Sequence, residues 1–190
     1  MGDDGRVDRI TELTDGVVTL RPVADAHVDG LHAGVAASIA EMAPWLPWCH
    51  DGYQRAEMAE FVRHARRTRD LGTEHHLVTL DARDGHVLGA CALRITDERS
   101  AMGEIGYWVA TPETGRGVAA RSTRLLAAWG FTGLNLERIE VIPAVTNLAS
   151  RTVAERAGAT YEGVARNRIP LGGGARADAA IYAFVRGDLG

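Results

Sequence analysis

Apolar positions along the chain alternate between a period of about two and a period of three to four residues, and each change marks an element. Gly16–Arg21 is rich in β-branched residues and stops at Pro22, which predicts a first strand closed by a turn. Leu31, Val35, Ile39 and Met42, then Met58, Phe61, Val62 and Ala65, recur at helical spacing. Two amphipathic helices are predicted, over Ala24–Glu41 and Tyr53–Arg69, with a rigid Pro44–Pro47 segment between them. His76–Asp81 and His86–Arg94 predict a hairpin turning at Arg83, Asp84 and Gly85, and Glu104–Ala110 predicts the next strand. A helix is predicted over Arg116–Phe131 with Gly133 as its C-terminal cap, then a strand over Arg138–Ile142 that stops at Pro143. Asn147 or Thr146 can cap a further helix running through Arg156 and ending at Gly158. The last two strands, near Thr160–Ile169 and Asp178–Arg186, flank Gly172–Gly174, a glycine run that reads as a hairpin loop. Strands and helices in this order predict an α/β or α+β sandwich, a mixed central sheet with helices on its faces.

Composition narrows the class. The chain has 190 residues, 46% of them hydrophobic, enough to bury one sizeable core. The reading is a tail over residues 1–15 and one domain over 16–190. A formal charge of -4 speaks against a general nucleic-acid binder. Arg63, Arg66, Arg67 and Arg69 cluster at helical spacing beside Glu57 and Glu60, as a solvated helix face does. The two cysteines, Cys49 and Cys91, have no metal spacing, and the seven histidines form no ligand pattern, so no metal is expected. The segment MGDDGRVDR lacks an apolar signal region, and no window reaches the roughly 20 apolar residues of a membrane span. A reduced, cytoplasmic setting is the expectation, with no membrane partner.

The segment TGRGVAAR, Thr114–Arg121, lies between the Glu104 strand and the following helix. A strand, a glycine-containing turn and a helix in that order can present bare N–H groups and a helix N-terminus to a phosphorylated ligand. Gly115 and Gly117 permit unusual dihedrals, and Val118, Ala119 and Ala120 keep small or compact side chains around the amides. The same residues also fit a plain strand-to-helix turn that binds nothing. GxxxxGK[ST] and GxGxxG are both absent, which speaks against a P-loop nucleotidase and removes the main support for a dinucleotide fold.

The segment resembles the acyl-CoA signature of the GCN5-related N-acetyltransferases, [QR]xxGx[GA], with Gly117 and Ala119 at its last two defined positions and Thr114 where Gln or Arg is usual. VTLRPV (Val18–Val23) is similar to the family's opening strand, and Leu136–Gly163 to the second half of its fold. A strand followed by N-x-x-S on a helix and an AGA turn resembles the branch that acetylates ribosomal-protein N-termini at alanine and serine. The segment PWLPW, Pro44–Trp48, resembles its serine-directed members. The resemblance implies the N-acetyltransferase fold, acetyl-CoA as co-substrate, and an amine acceptor, either a protein N-terminus or a small molecule. It also implies that such chains often pair as homodimers.

Site residues follow from the same comparison. The N–H groups of Gly115, Arg116, Gly117, Val118, Ala119 and Ala120 are expected on the pyrophosphate, and the backbone of Trp108, Val109 and Ala110 beside the pantetheine arm. Asn147 and Ser150, three residues apart, share a helix face. The resemblance implies that Asn147 bonds pantetheine amides and that Ser150 donates to the departing thiolate; a helix cap and a small packing residue are the plainer readings. Glu104 shares a strand face with Gly106 and Trp108 by period two and is the candidate general base, or else a sheet-rim carboxylate paired with Arg94. Trp45 and Trp48 are expected at the acceptor entrance, or as core packing. Some relatives carry a glutamate before the last hairpin, where this chain reads Asn167-Arg168-Ile169-Pro170. That difference and Thr114 motivate an alternative, a catalytically silent CoA-binding sensor.

Overall fold

The computed structural model describes residues 10–171 and 175–189. Its strands are β1 (Leu13–Thr14), β2 (Val18–Pro22), β3 (Glu74–Asp81), β4 (Val87–Asp97), β5 (Met102–Val109), β6 (Arg138–Val141), β7 (Thr160–Pro170) and β8 (Arg176–Val185). Its helices are α1 (Val28–Ala36), α2 (Ile39–Met42), α3 (Arg55–Asp70), α4 (Val118–Gly133) and α5 (Leu148–Ala157). The strands form one sheet in the order β1-β2-β3-β4-β5-β6-β8-β7. Every pairing is antiparallel except β5 with β6, which run parallel because α4 carries the chain across between them. This is the mixed α/β arrangement expected of the alternating pattern.

The sheet has a packed layer on each face, and alternation along β4 shows why. Cys91 and Leu93 point into a core with Leu77, Ile105, Leu126, Ile139 and Phe184 beneath α4 and α5. Ala90 points the other way, toward Val28, Leu31, Met58 and Val62 of α1 and α3. No described helix is long and apolar enough to cross a membrane.

Several boundaries differ from the sequence reading for local reasons. The helix expected over Ala24–Glu41 is a 3-10 turn at Asp25–His27 followed by α1 and α2, interrupted at Ser38. Ser38 leaves helical geometry while its buried hydroxyl donates to the Gly34 carbonyl at 2.7 Å and accepts the Thr111 N–H at 2.8 Å. Within the segment read as a tail, Ile10 is buried and Leu13–Thr14 pair with β2. The first nine residues and the Gly172–Gly174 loop lie outside the described residues. Gly133 is the last residue of α4 rather than a cap beyond it, because Trp129 packs against it.

One core residue is out of keeping with its surroundings. His75 is buried edge-on against Trp129 at 4.9 Å between ring centroids, and neither ring nitrogen has a hydrogen-bond partner among the described residues. Burial, with Arg69 and His76 nearby, pushes its pKa from 6.5 down to about 4. The unfolded chain therefore takes up a proton between about pH 6.5 and 4 that the folded chain does not, and stability falls as pH drops through that window. At about 1.4 kcal/mol per pKa unit, the loss at pH 4.5 is roughly 3 kcal/mol. His75→Leu is expected to reduce the Tm drop between pH 7 and pH 4.5; an equal drop in both proteins would clear His75 of the effect.

Candidate active site

The sheet opens along one line. β6 pairs with β5 only at Met102, Gly103 and Glu104, while β5 continues to Val109. The chain leaving β6 turns instead to β8: Pro143 accepts from the Ala180 N–H, and the Val145 N–H donates to the Asp178 carbonyl. Past Glu104 the two strands part. On the other side of β5, the Ala110 N–H donates to the Leu88 carbonyl of β4. Because strand N–H groups alternate, those of Tyr107 and Val109 face the gap.

The gap widens into a groove of about 730 Å³, and the glycine turn closes one end of it. Gly115 and Gly117 both have φ of +76°, a left-handed conformation that costs other residues roughly 1–2 kcal/mol. Gly117 caps α4, and its carbonyl accepts the first intrahelical bond from Arg121. The N–H groups of Val118, Ala119 and Ala120 are consequently left without helical partners at the positive end of a 16-residue helix. Val118 is buried with Val18 and Leu88, which fixes where the helix starts. The amides of this turn are thus held in place facing the groove, the arrangement that suits an anion.

Ser150 and Asn147 stand on the opposite wall. The Asn147 side chain caps α5 by accepting the Ser150 N–H at 3.0 Å, so capping and exposure to the groove coexist. The Ser150 hydroxyl lies 2.8 Å from that of Tyr107, which also donates to the Ser150 carbonyl at 3.0 Å. Burial pushes the Tyr107 phenol up to about 12, so it stays protonated as a hydrogen-bond donor. Sequence reasoning missed Tyr107. Period two was applied to the face carrying Glu104 and Trp108, and Tyr107 is on the other face, where α5 packs.

The remaining candidates divide between positions in and out of the groove. Glu104, Trp108, Val109, Gly115, Gly117, Ala119, Ala120 and Trp45 line it. The Glu104 carboxylate also accepts from exposed Arg94 at 3.0 Å, the pairing expected of a sheet-rim carboxylate, while it lines the groove. Ala110 is buried with its N–H engaged, and it is not on the wall. Arg116 is not on the wall either. Its guanidinium turns to Asp81 at 3.0 Å and to Glu113, which ties the glycine turn to the end of β3. Trp48 stands beside a different cavity, edge-on to Tyr53 at 5.8 Å.

The polar groups around the turn are mutually occupied. Arg83, foremost, and then Arg116 hold the Asp81 carboxyl well below the usual carboxylate range. Asp81, Asp84 and His86 bring three ligand atoms within 4.8 Å of one another, but both Asp81 oxygens already accept from arginines. The two cysteines are buried, and burial raises both thiols, Cys91 to about 12.

Residues 18–160 match the acetyltransferase (GNAT) domain. The chain belongs to this family. A Bacillus subtilis (strain 168) protein provisionally named ribosomal N-acetyltransferase YdaF is 37% identical over 90 residues, 47% of this chain and 49% of that protein. YjcK of the same strain, provisionally named an N-acetyltransferase, is 29% identical over 121 residues, 63% of this chain and 65% of that protein. The matches therefore span about half to two thirds of these relatives' length. Among solved structures, Mycobacterium smegmatis RimJ in complex with CoA-disulfide is 26% identical, with a TM-score of 0.81 over 96% of this chain and 89% of that one. In this GNAT domain the sheet gap and the glycine turn are parts of one groove.

Gly117→Ala forces a Cβ into the left-handed region at the helix cap. A loss of about 1–2 kcal/mol is expected, read as a Tm lowered by roughly 2–8 °C. An unchanged Tm would mean the turn relaxes without cost.

Proposed function

We propose that the chain transfers the acetyl group of acetyl-CoA to a primary amine in the cytoplasm. The observation that carries this reading is the row of unpartnered N–H groups at Val118–Ala120, set at one end of a groove that the free edge of β5 borders and the Tyr107–Ser150 hydroxyl pair faces. The pyrophosphate would take the amides of the turn, and the pantetheine arm would lie between β5 and α5. Val109 would offer the strand N–H to it, and Asn147 its side-chain amide. CoA bound to the RimJ relative supports the donor.

The chemistry is a direct displacement. The neutral amine attacks the thioester carbonyl, a C–N bond forms, and the C–S bond breaks as the tetrahedral intermediate collapses. A free N–H on the gap side of β5 stabilises the carbonyl oxygen as it gains charge. An unperturbed thiol has a pKa of about 8.5, so the leaving thiolate needs a well-placed donor more than a strong acid. Ser150, with Tyr107 behind it, supplies one. An α-amine in water, with a pKa of about 7.7–8.0, is already partly neutral near pH 7. Glu104 then serves by ordering the water that takes the amine proton while Arg94 keeps the carboxylate in place. The acceptor reading is a protein N-terminal α-amine of the ribosomal type, or a small amine, with YdaF's name supporting the first. The silent-sensor reading draws on Thr114 in place of Gln or Arg and on the missing glutamate before the last hairpin.

The test combines binding and turnover. Acetyl-CoA and CoA at about 100 times Kd are expected to add roughly 2.7 kcal/mol of stability, while ATP and NAD add none. Gly117→Glu is expected to abolish the rise, and its persistence would refute the assignment of the turn. Ser150→Ala and Tyr107→Phe are expected to slow CoA release at least tenfold with a smaller change in acetyl-CoA affinity. A CoA-induced rise with no acetyl transfer to any amine would favour the sensor.

A further inference from the structure

Beside the groove, on the face covered by α1 and α3, lies a second cavity of about 440 Å³. It shares Leu46, Gly106, Tyr107 and Trp108 with the groove, so the two spaces meet along one wall. The strand register explains its origin. His76, Ala92 and Gly106 are paired across β3, β4 and β5 and form one row on one face of the sheet. Side chains along that row shrink from an imidazole to a methyl to a hydrogen as it approaches the gap. Nothing lies within 4 Å of where a Cβ would stand on Gly106. The missing volume is therefore a passage from the cavity to the free edge of β5.

The walls define what fits. Phe61 meets the His76 ring edge-on at 5.1 Å, and Trp48 meets Tyr53 edge-on at 5.8 Å, so aromatic faces and edges surround the space. Among the described residues its lining includes no carboxylate; His64 and His76 are its basic side chains, Tyr53 adds a phenol, and the Nε2 of His76 already faces Glu74 at 2.8 Å. A second ammonium on the acceptor would find no free carboxylate there. Flat apolar groups gain most from such a space, through burial and offset or edge contacts with the rings.

We propose that this cavity is the acceptor subsite and that it selects primary amines bearing an aromatic or comparably flat apolar group, with the amine at Gly106 and the ring over Ala92. This rests on the acetyl-transfer reading above and narrows its substrate class. Arylalkylamines and peptides with an aromatic first residue share this chemistry. Acceptors whose amine carries only a small polar group, or a second distant cation, leave the cavity unfilled or place a charge in it.

The experiment uses the full chain saturated with CoA for binding, and with acetyl-CoA for turnover. Calorimetry with 2-phenylethylamine and ethylamine is expected to show at least tenfold tighter binding of the former. CoA release is then followed with these two amines and with amidated Phe-Ala-Ala and Ser-Ala-Ala. The aromatic member of one pair or both is expected to exceed its partner at least tenfold in kcat/KM, and the pair that responds identifies the source. Ala92→Leu, which fills the passage, is expected to lower that ratio about tenfold; if it fails to fold, Ala92→Val serves, with the CoA-induced Tm rise reporting folding. Aromatic binding without turnover upholds the subsite and sinks the catalytic reading. Turnover without aromatic preference does the reverse, and absence of both preferential binding and preferential turnover overturns the proposal.

Discussion

The groove exists because β6 abandons β5 after three residue pairs, and the arrangement of the site follows from that parting. An unpaired strand edge inside a fold leaves polar groups that must find other partners. The β6 side does so by continuing along β8, where Ala180 and Asp178 take up Pro143 and Val145. Pro143 has no N–H with which to resume a ladder on β5. The β5 side stays open, and the gap-facing groups of Tyr107 and Val109 are what an incoming extended ligand could pair with. The parallel β5–β6 pairing also requires a crossover, and that crossover is α4, whose N-terminus is thereby delivered to the end of the gap. The helix after β6 is α5, which brings Ser150 onto Tyr107.

Alternation along β5 separates the polar groups that flank the gap. Tyr107 projects toward α5 and meets Ser150, whereas Glu104, Gly106 and Trp108 face α1 and α3. The Tyr107–Ser150 hydroxyl pair and the Glu104 carboxylate consequently sit on opposite faces of one strand, with the gap between them. Ser38 links these layers: its hydroxyl joins the end of α1 to Thr111, just past β5, so α1 is registered to the strand that borders the groove.

Most of the strands, and the glycine turn, were legible because local rules decide them. β-branched runs, Pro22, Pro143 and the left-handed Gly117 and Gly158 punctuate the chain in ways that survive folding. What was not legible depends on distant partners. Leu31, Val35, Ile39 and Met42 keep helical spacing straight through the break at Ser38, which only its contact 73 residues away explains. The Arg116 N–H is an expectation of the turn's backbone, but that buried Asp81 at the end of β3 claims its side chain is decided by tertiary structure. Tyr107 could be placed on a strand face, but which face α5 covers is a tertiary fact. The cavity was equally hidden, since Ala92 and Gly106 become neighbours of His76 only through register.

The turn is fixed before any ligand arrives. Two left-handed glycines set its path, Thr114 donates to the Thr111 carbonyl at 2.8 Å, and Arg116 is anchored to Asp81. Thr114 thus spends its side chain within the loop at the position where the signature has Gln or Arg. With Arg116 held by carboxylates, an anion placed at the turn would meet backbone N–H groups and the dipole of α4 rather than a mobile cation. Ordering costs that a flexible loop would incur on binding are met during folding. The segment can therefore tolerate changes of charge at Thr114 far better than changes at the two glycines, because backbone geometry, not side-chain charge, is what it offers.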